Sequence, residues 1–307
     1  MSDRSTVDLS GTFLPVTTPF DPVTGDVDIV AFRSNVRRWT EHPVRGILIA
    51  GSTGESVFLD EGERVALFEA ARDMLGGERV IIAGTGSEAT RHTIHLCRQA
   101  ADAGADAVLV SPPAYFKGAM TPAVLSRHYR AVADASPVPV IIYQVPLRMS
   151  TLDLPTGLIE ELSQHPNIVG IKDSRGKLDL VGELVEHSAD DFQELVGSGA
   201  LLYGALETGA TGGIVAVGLM AAAEAAEISV AFAEGRTGDA GRIQERIAPV
   251  HQQIVGGMGV PGVKAALDLL GFHGGEPRPP LEAATEGRVE EIRTILATAD
   301  LLTPVEV

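Results

Sequence analysis

Eight short runs rich in β-branched and apolar residues alternate with helical stretches from the start of the chain to about residue 217, and few folds accommodate that rhythm. The runs fall at residues 13–18, 46–50, 79–83, 107–111, 138–143, 168–172, 192–196 and 213–217. Amphipathic stretches such as 61–75, 89–103 and 121–135 lie between them. Alternation of this kind makes parallel βα units, and eight parallel strands, each buried on both faces, are the number that closes a barrel. The expected fold is α/β, a (β/α)8 TIM barrel over residues 1–219. Beyond it the pattern becomes helix only, at 221–234, 239–255, 260–270 and 289–298, and is read as a C-terminal helical extension over residues 220–307.

A doubly wound sheet is the rival architecture. Gly84-Thr85-Gly86-Ser87-Glu88-Ala89 matches the G-x-G-x-x-A pattern of dinucleotide sites, with Asp102 and Asp106 further on. Such sites usually follow the first strand, whereas two βα units precede this one. The glycines are read instead as a tight turn passing close to the barrel mouth.

Composition narrows the class of partner. A chain of 307 residues, 45% of them hydrophobic, can bury one large core, and its formal charge of −17 repels nucleic acid and anionic membranes. Met1-Ser2-Asp3-Arg4-Ser5-Thr6 shows no basic segment leading into an apolar one, and no run approaches the roughly eighteen apolar residues of a membrane span, so a cytoplasmic protein is expected. Cys97 is the single cysteine, which excludes an intrachain disulfide, and its helical setting suits a buried thiol. His92 and His95 share a helix face without a third ligand at metal spacing, so no metal site is expected.

Barrel enzymes carry their chemistry at the C-terminal ends of the strands. There are four lysines against twenty arginines. Lys117 sits in a loop, Lys177 and Lys264 in helical patterns, and only Lys172 ends an apolar strand, Ile168-Val169-Gly170-Ile171. Burial at the barrel mouth would lower its pKa and leave free amine able to attack a ketone; the alternative is a structural lysine paired with Asp173. Tyr143 ends the neighbouring run, either as a proton carrier with a hydroxyl partner such as Thr53 or as an amphipathic lid. Arg148 follows in a short loop bracketed by Pro146 and Pro155, suited to gripping a carboxylate or simply to facing solvent. Gly51-Ser52-Thr53-Gly54-Glu55 places two hydroxyls between glycines, where hydroxyls and amides could hold a carboxylate.

These motifs, with Tyr143-Gln144-Val145-Pro146-Leu147-Arg148 and Gly170-Ile171-Lys172-Asp173-Ser174, resemble the dihydrodipicolinate synthase / N-acetylneuraminate lyase family of pyruvate-dependent class I aldolases. The likeness runs from Leu9-Ser10-Gly11 to Pro279-Pro280-Leu281. It implies a covalent imine between substrate and Lys172 with no separate cofactor, and Tyr143 as the proton-transferring tyrosine. It also implies that Ser52 and Thr53 bind the pyruvyl carboxylate, with a link from that pair to the tyrosine, that Arg148 holds a second substrate's carboxylate, and that Gly197 and Ile214 line the pyruvate pocket. Tyr115 matches a tyrosine that some members insert into a neighbouring subunit's site, which requires a homo-oligomer, typically a tetramer built from dimers.

In detail the chain is most similar to the 4-hydroxy-2-oxoglutarate aldolases of this family, through Asp191-Phe192-Gln193, Gly209-Ala210-Thr211-Gly212-Gly213, Gly259-Val260-Pro261-Gly262-Val263-Lys264 and Gly271-Phe272-His273-Gly274-Gly275. Ala114-Tyr115-Phe116 and Arg148-Met149-Ser150 depart from the Tyr-Tyr-Asn and Arg-Thr-Gly usual in dihydrodipicolinate synthases. The expected activity is cleavage or formation of a 4-hydroxy-2-oxo acid, with pyruvate as the covalently bound component. Dihydrodipicolinate synthesis from pyruvate and aspartate semialdehyde, a sugar-acid aldolase or dehydratase, and a non-catalytic 2-oxo-acid sensor are the other readings.

Overall fold

The computed structural model describes residues 7–150 and 152–302; the opening segment Met1 to Thr6, read above for its lack of a leader, lies outside them. All eight apolar runs form strands: β1 (Gly11–Pro15), β2 (Gly46–Ile49), β3 (Val80–Gly84), β4 (Ala107–Val110), β5 (Val140–Gln144), β6 (Ile168–Asp173), β7 (Gln193–Val196) and β8 (Gly212–Ile214). They pair in sequence order and all in parallel, and β1 meets β8 to close the barrel. No edge is left unpaired.

The helices α1 (Ile29–Thr40), α2 (Glu61–Leu75), α3 (Thr90–Asp102), α4 (Pro122–Ala135), α5 (Thr156–Ser163), α6 (Leu178–His187) and α7 (Leu202–Glu207) follow successive strands. Local chemistry starts several of them. Asp60 and Glu63 form a reciprocal capping box on α2, Asp28 caps α1, and Thr121 caps α4 ahead of Pro122. Past β8 come α8 (Ala222–Ala233), α9 (Thr237–Val250), a π-helical turn (His251–Gly256), α10 (Gly259–Leu269) and α11 (Glu286–Thr298). Thr12 Oγ1 of β1 donates to Ala225 O at 2.8 Å, so α8 lies on the barrel as its eighth outer helix. The later segments are tied to the first βα unit: Trp39 stacks on Phe272 at 5.4 Å, and Asn35 exchanges hydrogen bonds with the backbone of His273.

One run ends earlier than its composition suggests. Residues 213–217 read as a strand, yet β8 stops at Ile214 and Ala216–Leu219 winds into a 3-10 turn. The N–H groups of Gly218 and Met220 bond to Val215 O and Val217 O, so the apolar segment turns over the mouth instead of extending the ladder.

The core has two layers. Phe13, Leu48, Ile82, Leu109, Ile141, Val169, Leu195 and Ile214 fill the barrel interior, and a larger cluster packs the strands against the helices. The glycines of the dinucleotide-like motif serve close approach. A Cβ on Gly84 would lie 2.0 Å from Ala50 O, and one on Gly86 2.1 Å from Ser111 Oγ. Among the described residues no helix is long and apolar enough to cross a membrane.

Candidate active site

The site begins with an irregularity between β5 and β6. Val140 pairs with Ile168, but Ile141 pairs with Gly170, so Val169 is a surplus residue in β6. Facing residues of adjacent strands point to the same side, and a one-residue slip exchanges the two faces. The bulge sets Lys172 opposite Tyr143, on the inner face, and leaves Ile171 among the outer contacts. Gly170 makes the close strand approach possible, since a Cβ there would lie 2.3 Å from Gln193 O.

Lys172 is 5% exposed, and its Nζ stands 4.6 Å from the centre of the Tyr143 ring. Burial pushes its pKa below the usual lysine value, opposed in part by the Tyr143 hydroxyl. Asp173 is not its counter-ion. That carboxylate faces the outer layer, where Arg175 holds it through Nη2 at 2.6 Å and Nε at 2.9 Å. Among the described residues Lys172 has no carboxylate within ion-pair distance.

Tyr143 OH lies 3.4 Å from Ser52 Oγ. Thr53 lines the same chamber, but Ser52 is the member of the hydroxyl pair that reaches the tyrosine. The loop carrying both is bracketed by two left-handed residues, Ala50 (φ 53°) and Glu55 (φ 58°), a conformation that costs free energy in residues with a side chain. Glu55 is clamped in place. Its Oε1 accepts from Lys264 Nζ at 2.7 Å and its Oε2 from Arg278 N at 2.7 Å, inside the protein. Lys264 therefore is a second buried lysine, unlike its reading as an ordinary helical residue, and the motif's glutamate anchors the loop.

Ser52, Thr53, Tyr143, Arg148, Lys172, Gly197 and Ile214 all line one chamber of about 340 Å3, within the range of small-molecule sites. Gly197 N donates to Asp173 O at 2.7 Å, and a Cβ there would strike Ser174 Oγ at 1.9 Å. Arg148 is exposed at the rim; its guanidinium donates to Gly256 O and, at 3.1 Å, to Val255 O. Tyr115 is the one candidate that lies apart. It is 81% exposed, edge-on to Phe116, with its backbone N–H and that of Ala114 held by Glu88.

One chamber residue escapes sequence reasoning. His251 sits on the π-helical turn with Nε2 3.3 Å from Ser198 Oγ, and its Nδ1 accepts from Gly199 N at 3.2 Å. No spacing rule links residues 198 and 251; the histidine could have been found only by knowing that α9 ends over β7. A larger cavity, about 670 Å3, opens on the other side of Tyr143 and Ser52. It is lined by no lysine, and Arg64 at its wall is engaged by Ser56 O and Gly84 O; the buried amine of Lys172 lines the smaller chamber.

Residues 8–299 match the family model described as the dihydrodipicolinate synthetase family. The chain belongs to this family. A probable mitochondrial 4-hydroxy-2-oxoglutarate aldolase from Emericella nidulans is 36% identical over 277 residues, 89% of each chain. A 4-hydroxy-tetrahydrodipicolinate synthase from Corynebacterium aurimucosum is 34% identical, covering 98% of this chain and 99% of its own. Among solved structures, a prophage protein of the dihydrodipicolinic acid synthase family from E. coli K12, in complex with pyruvate, superposes with TM-score 0.90 at 27% identity, covering 96% of this chain and 100% of its own. Aldolases and synthases of the dihydrodipicolinate synthetase family are carbon–carbon lyases that work through a lysine Schiff base without an external cofactor. The family relatives divide between 4-hydroxy-2-oxoglutarate aldolase and dihydrodipicolinate synthase.

Proposed function

We propose that this protein is an aldolase that cleaves a 4-hydroxy-2-oxo acid, of which 4-hydroxy-2-oxoglutarate is the representative, to pyruvate and an aldehyde, or runs the reverse condensation. The observation that carries this reading is Lys172 itself: an amine buried at the barrel mouth, opening on a chamber, with no acid beside it. Its pKa, lowered by burial, raises the share of free amine that can attack a carbonyl.

In this reading the amine adds to the substrate C2 carbonyl, and the carbinolamine loses water to give an iminium. Tyr143, within reach of Ser52, carries the protons. Removal of the C4 hydroxyl proton breaks the C3–C4 bond, and the electron pair is taken up by the iminium as an enamine. Reprotonation at C3 and hydrolysis release pyruvate; a five-carbon diacid yields glyoxylate as the other fragment. Ser52 and Thr53 hold the C1 carboxylate, and Gly197 and Ile214 shape the wall around the pyruvyl group. Arg148 offers the N–H groups not engaged by the Val255 and Gly256 carbonyls to the far carboxylate.

Tyr115 acts from a second copy of the chain. It is exposed and lies outside its own chamber, and an aromatic pair as open as Tyr115 and Phe116 suits an interface. A homo-oligomer, dimer or tetramer, is the expected assembly.

Borohydride reduction with pyruvate, followed by intact mass, tests the imine. Wild type should gain one pyruvyl adduct that Lys172→Ala cannot form, and an unmodified wild type at saturating pyruvate overturns the reading. Pyruvate release from 4-hydroxy-2-oxoglutarate, measured beside condensation with aspartate semialdehyde, separates aldolase from synthase; faster turnover of the semialdehyde reverses their order.

A further inference from the structure

His251 is the chamber residue that no part of the mechanism above uses. Pro249 lies inside α9 and has no N–H to give, and two residues later the helix relaxes into the π turn His251–Gly256. Such turns recur at functional sites because the surplus residue re-aims a side chain. Here the turn brings the imidazole over the end of β7. Gly199 N donates to Nδ1 at 3.2 Å, and Gly199 has no room for a side chain, since a Cβ would meet Val217 Cγ1 at 2.5 Å. Gln244 Nε2 fixes the same residue by donating to Gly199 O at 2.9 Å.

A ring nitrogen that accepts a hydrogen bond carries no proton, so the single proton of the neutral imidazole resides on Nε2. That N–H faces the chamber beside Ser198 Oγ. The carbonyls of Val255 and Gly256, in the same π turn, receive Arg148. The imidazole N–H fixed by the turn, the Ser198 hydroxyl that follows β7 and the Arg148 guanidinium held by the turn's carbonyls therefore meet above β5 and β7. The Ser52–Thr53 hydroxyls enter from β2, across the barrel. Burial and the neighbouring Arg148 charge hold the imidazole pKa to about 4, so the ring stays a neutral donor through the physiological range.

We propose that His251 selects the substrate by donating its Nε2–H to the carboxylate at the far end of a 2-oxo diacid, with Ser198 and Arg148 beside it. This rests on the Schiff-base reading of Lys172 and names the substrate class that the chamber accepts. The histidine is a binding residue, and neither imine formation nor proton transfer passes through it.

The test compares two stable 2-oxo acids as they compete with pyruvate for borohydride-trapped adducts: 2-oxoglutarate, a five-carbon diacid, and 2-oxopentanoate, with a methyl in place of the far carboxylate. Wild type should trap the diacid at least about tenfold more efficiently, the scale of a hydrogen bond to a charged group. His251→Asn keeps an acceptor for Gly199 N–H but is too short to reach the chamber; it should bring the two acids within about threefold of each other, each measured against pyruvate in the same reaction. His251→Gln, which restores an N–H at the Nε2 position, should recover the preference. No diacid preference in wild type, or an undiminished one in His251→Asn, overturns the proposal. Failure of wild type to trap pyruvate removes the imine reading itself, a result distinct from either.

Discussion

Lys264 Nζ lies 2.7 Å from Glu55 Oε1, and both side chains are wholly shut off from solvent. The contact ties α10 to the loop that carries Ser52 and Thr53, and a second bond from Lys264, to Glu276 O, with Phe20 stacked against the ammonium, completes the enclosure. Removing one partner strands a buried charge. Lys264→Ala or Glu55→Ala should lower unfolding free energy by about 3–5 kcal/mol, read from denaturant midpoints. A loss below about 1 kcal/mol would mean that the loop does not depend on this pair.

Tyr143→Phe should leave the fold intact, because the ring still packs in the inner core. Its turnover should fall by about 10²- to 10⁴-fold, the usual weight of a positioned proton carrier. Single-turnover trapping of pyruvate should slow as well. Ser52→Ala, which removes the hydroxyl 3.4 Å from the tyrosine, should slow the same steps by a smaller factor. Unchanged turnover in Tyr143→Phe would make the tyrosine a lid.

Glu194 is buried on the outer face of β7, and among the described residues neither carboxylate oxygen has a hydrogen-bond partner. Desolvation, and then the charge of Asp173, raise its pKa well above 4.5, against the pull of Arg175. The folded state thus holds a proton that the unfolded chain releases, so stability is complete below about 4.5 and declines as pH rises through the folded value. Glu194→Gln should melt with wild type near pH 4, exceed it at pH 7–8, and lose that part of the pH slope, up to about 1.4 kcal/mol per pH unit. A calorimetric series over pH 4–8 checks this; parallel curves would refute it.

His128 has the opposite sign. It is 4% exposed, with Nδ1 on Thr90 Oγ1 and, among the described residues, no partner for Nε2, and burial lowers its pKa to about 4, against an opposing pull from Glu88. The unfolded chain therefore takes up a proton that the folded state refuses, and stability drains away as pH falls from 6.5 towards 4. His128→Gln should flatten this acid limb in melting curves taken between pH 7 and 4.5. An unaltered slope would show that other groups govern it.

The strand and helix pattern was legible because barrel strands are buried on both faces and announce themselves as apolar runs. Lys172 and Tyr143 could be singled out because each ends such a run. Local pattern could not show which side of β6 the lysine takes, since the surplus Val169 exists only in relation to the neighbouring strand. Nor could it show the Glu55–Lys264 pair or the seat of His251 between Ser198 and Gly199, which depend on the C-terminal helices folding back across the barrel. Thr53 was a sensible partner for Tyr143, but in a two-hydroxyl loop the backbone decides which one reaches, and it is Ser52.

The extra residue in β6 means that reactivity here is governed by strand length as much as by side-chain identity. Removing Ile171, between the bulge and the lysine, would keep every functional group in the polypeptide, yet set Lys172 opposite Ile142, out in the packing between strands and helices, and bring Asp173 in opposite Tyr143. A barrel of this kind can therefore gain or forfeit its chemistry through a single-codon insertion or deletion, a route that a comparison of aligned substitutions would overlook.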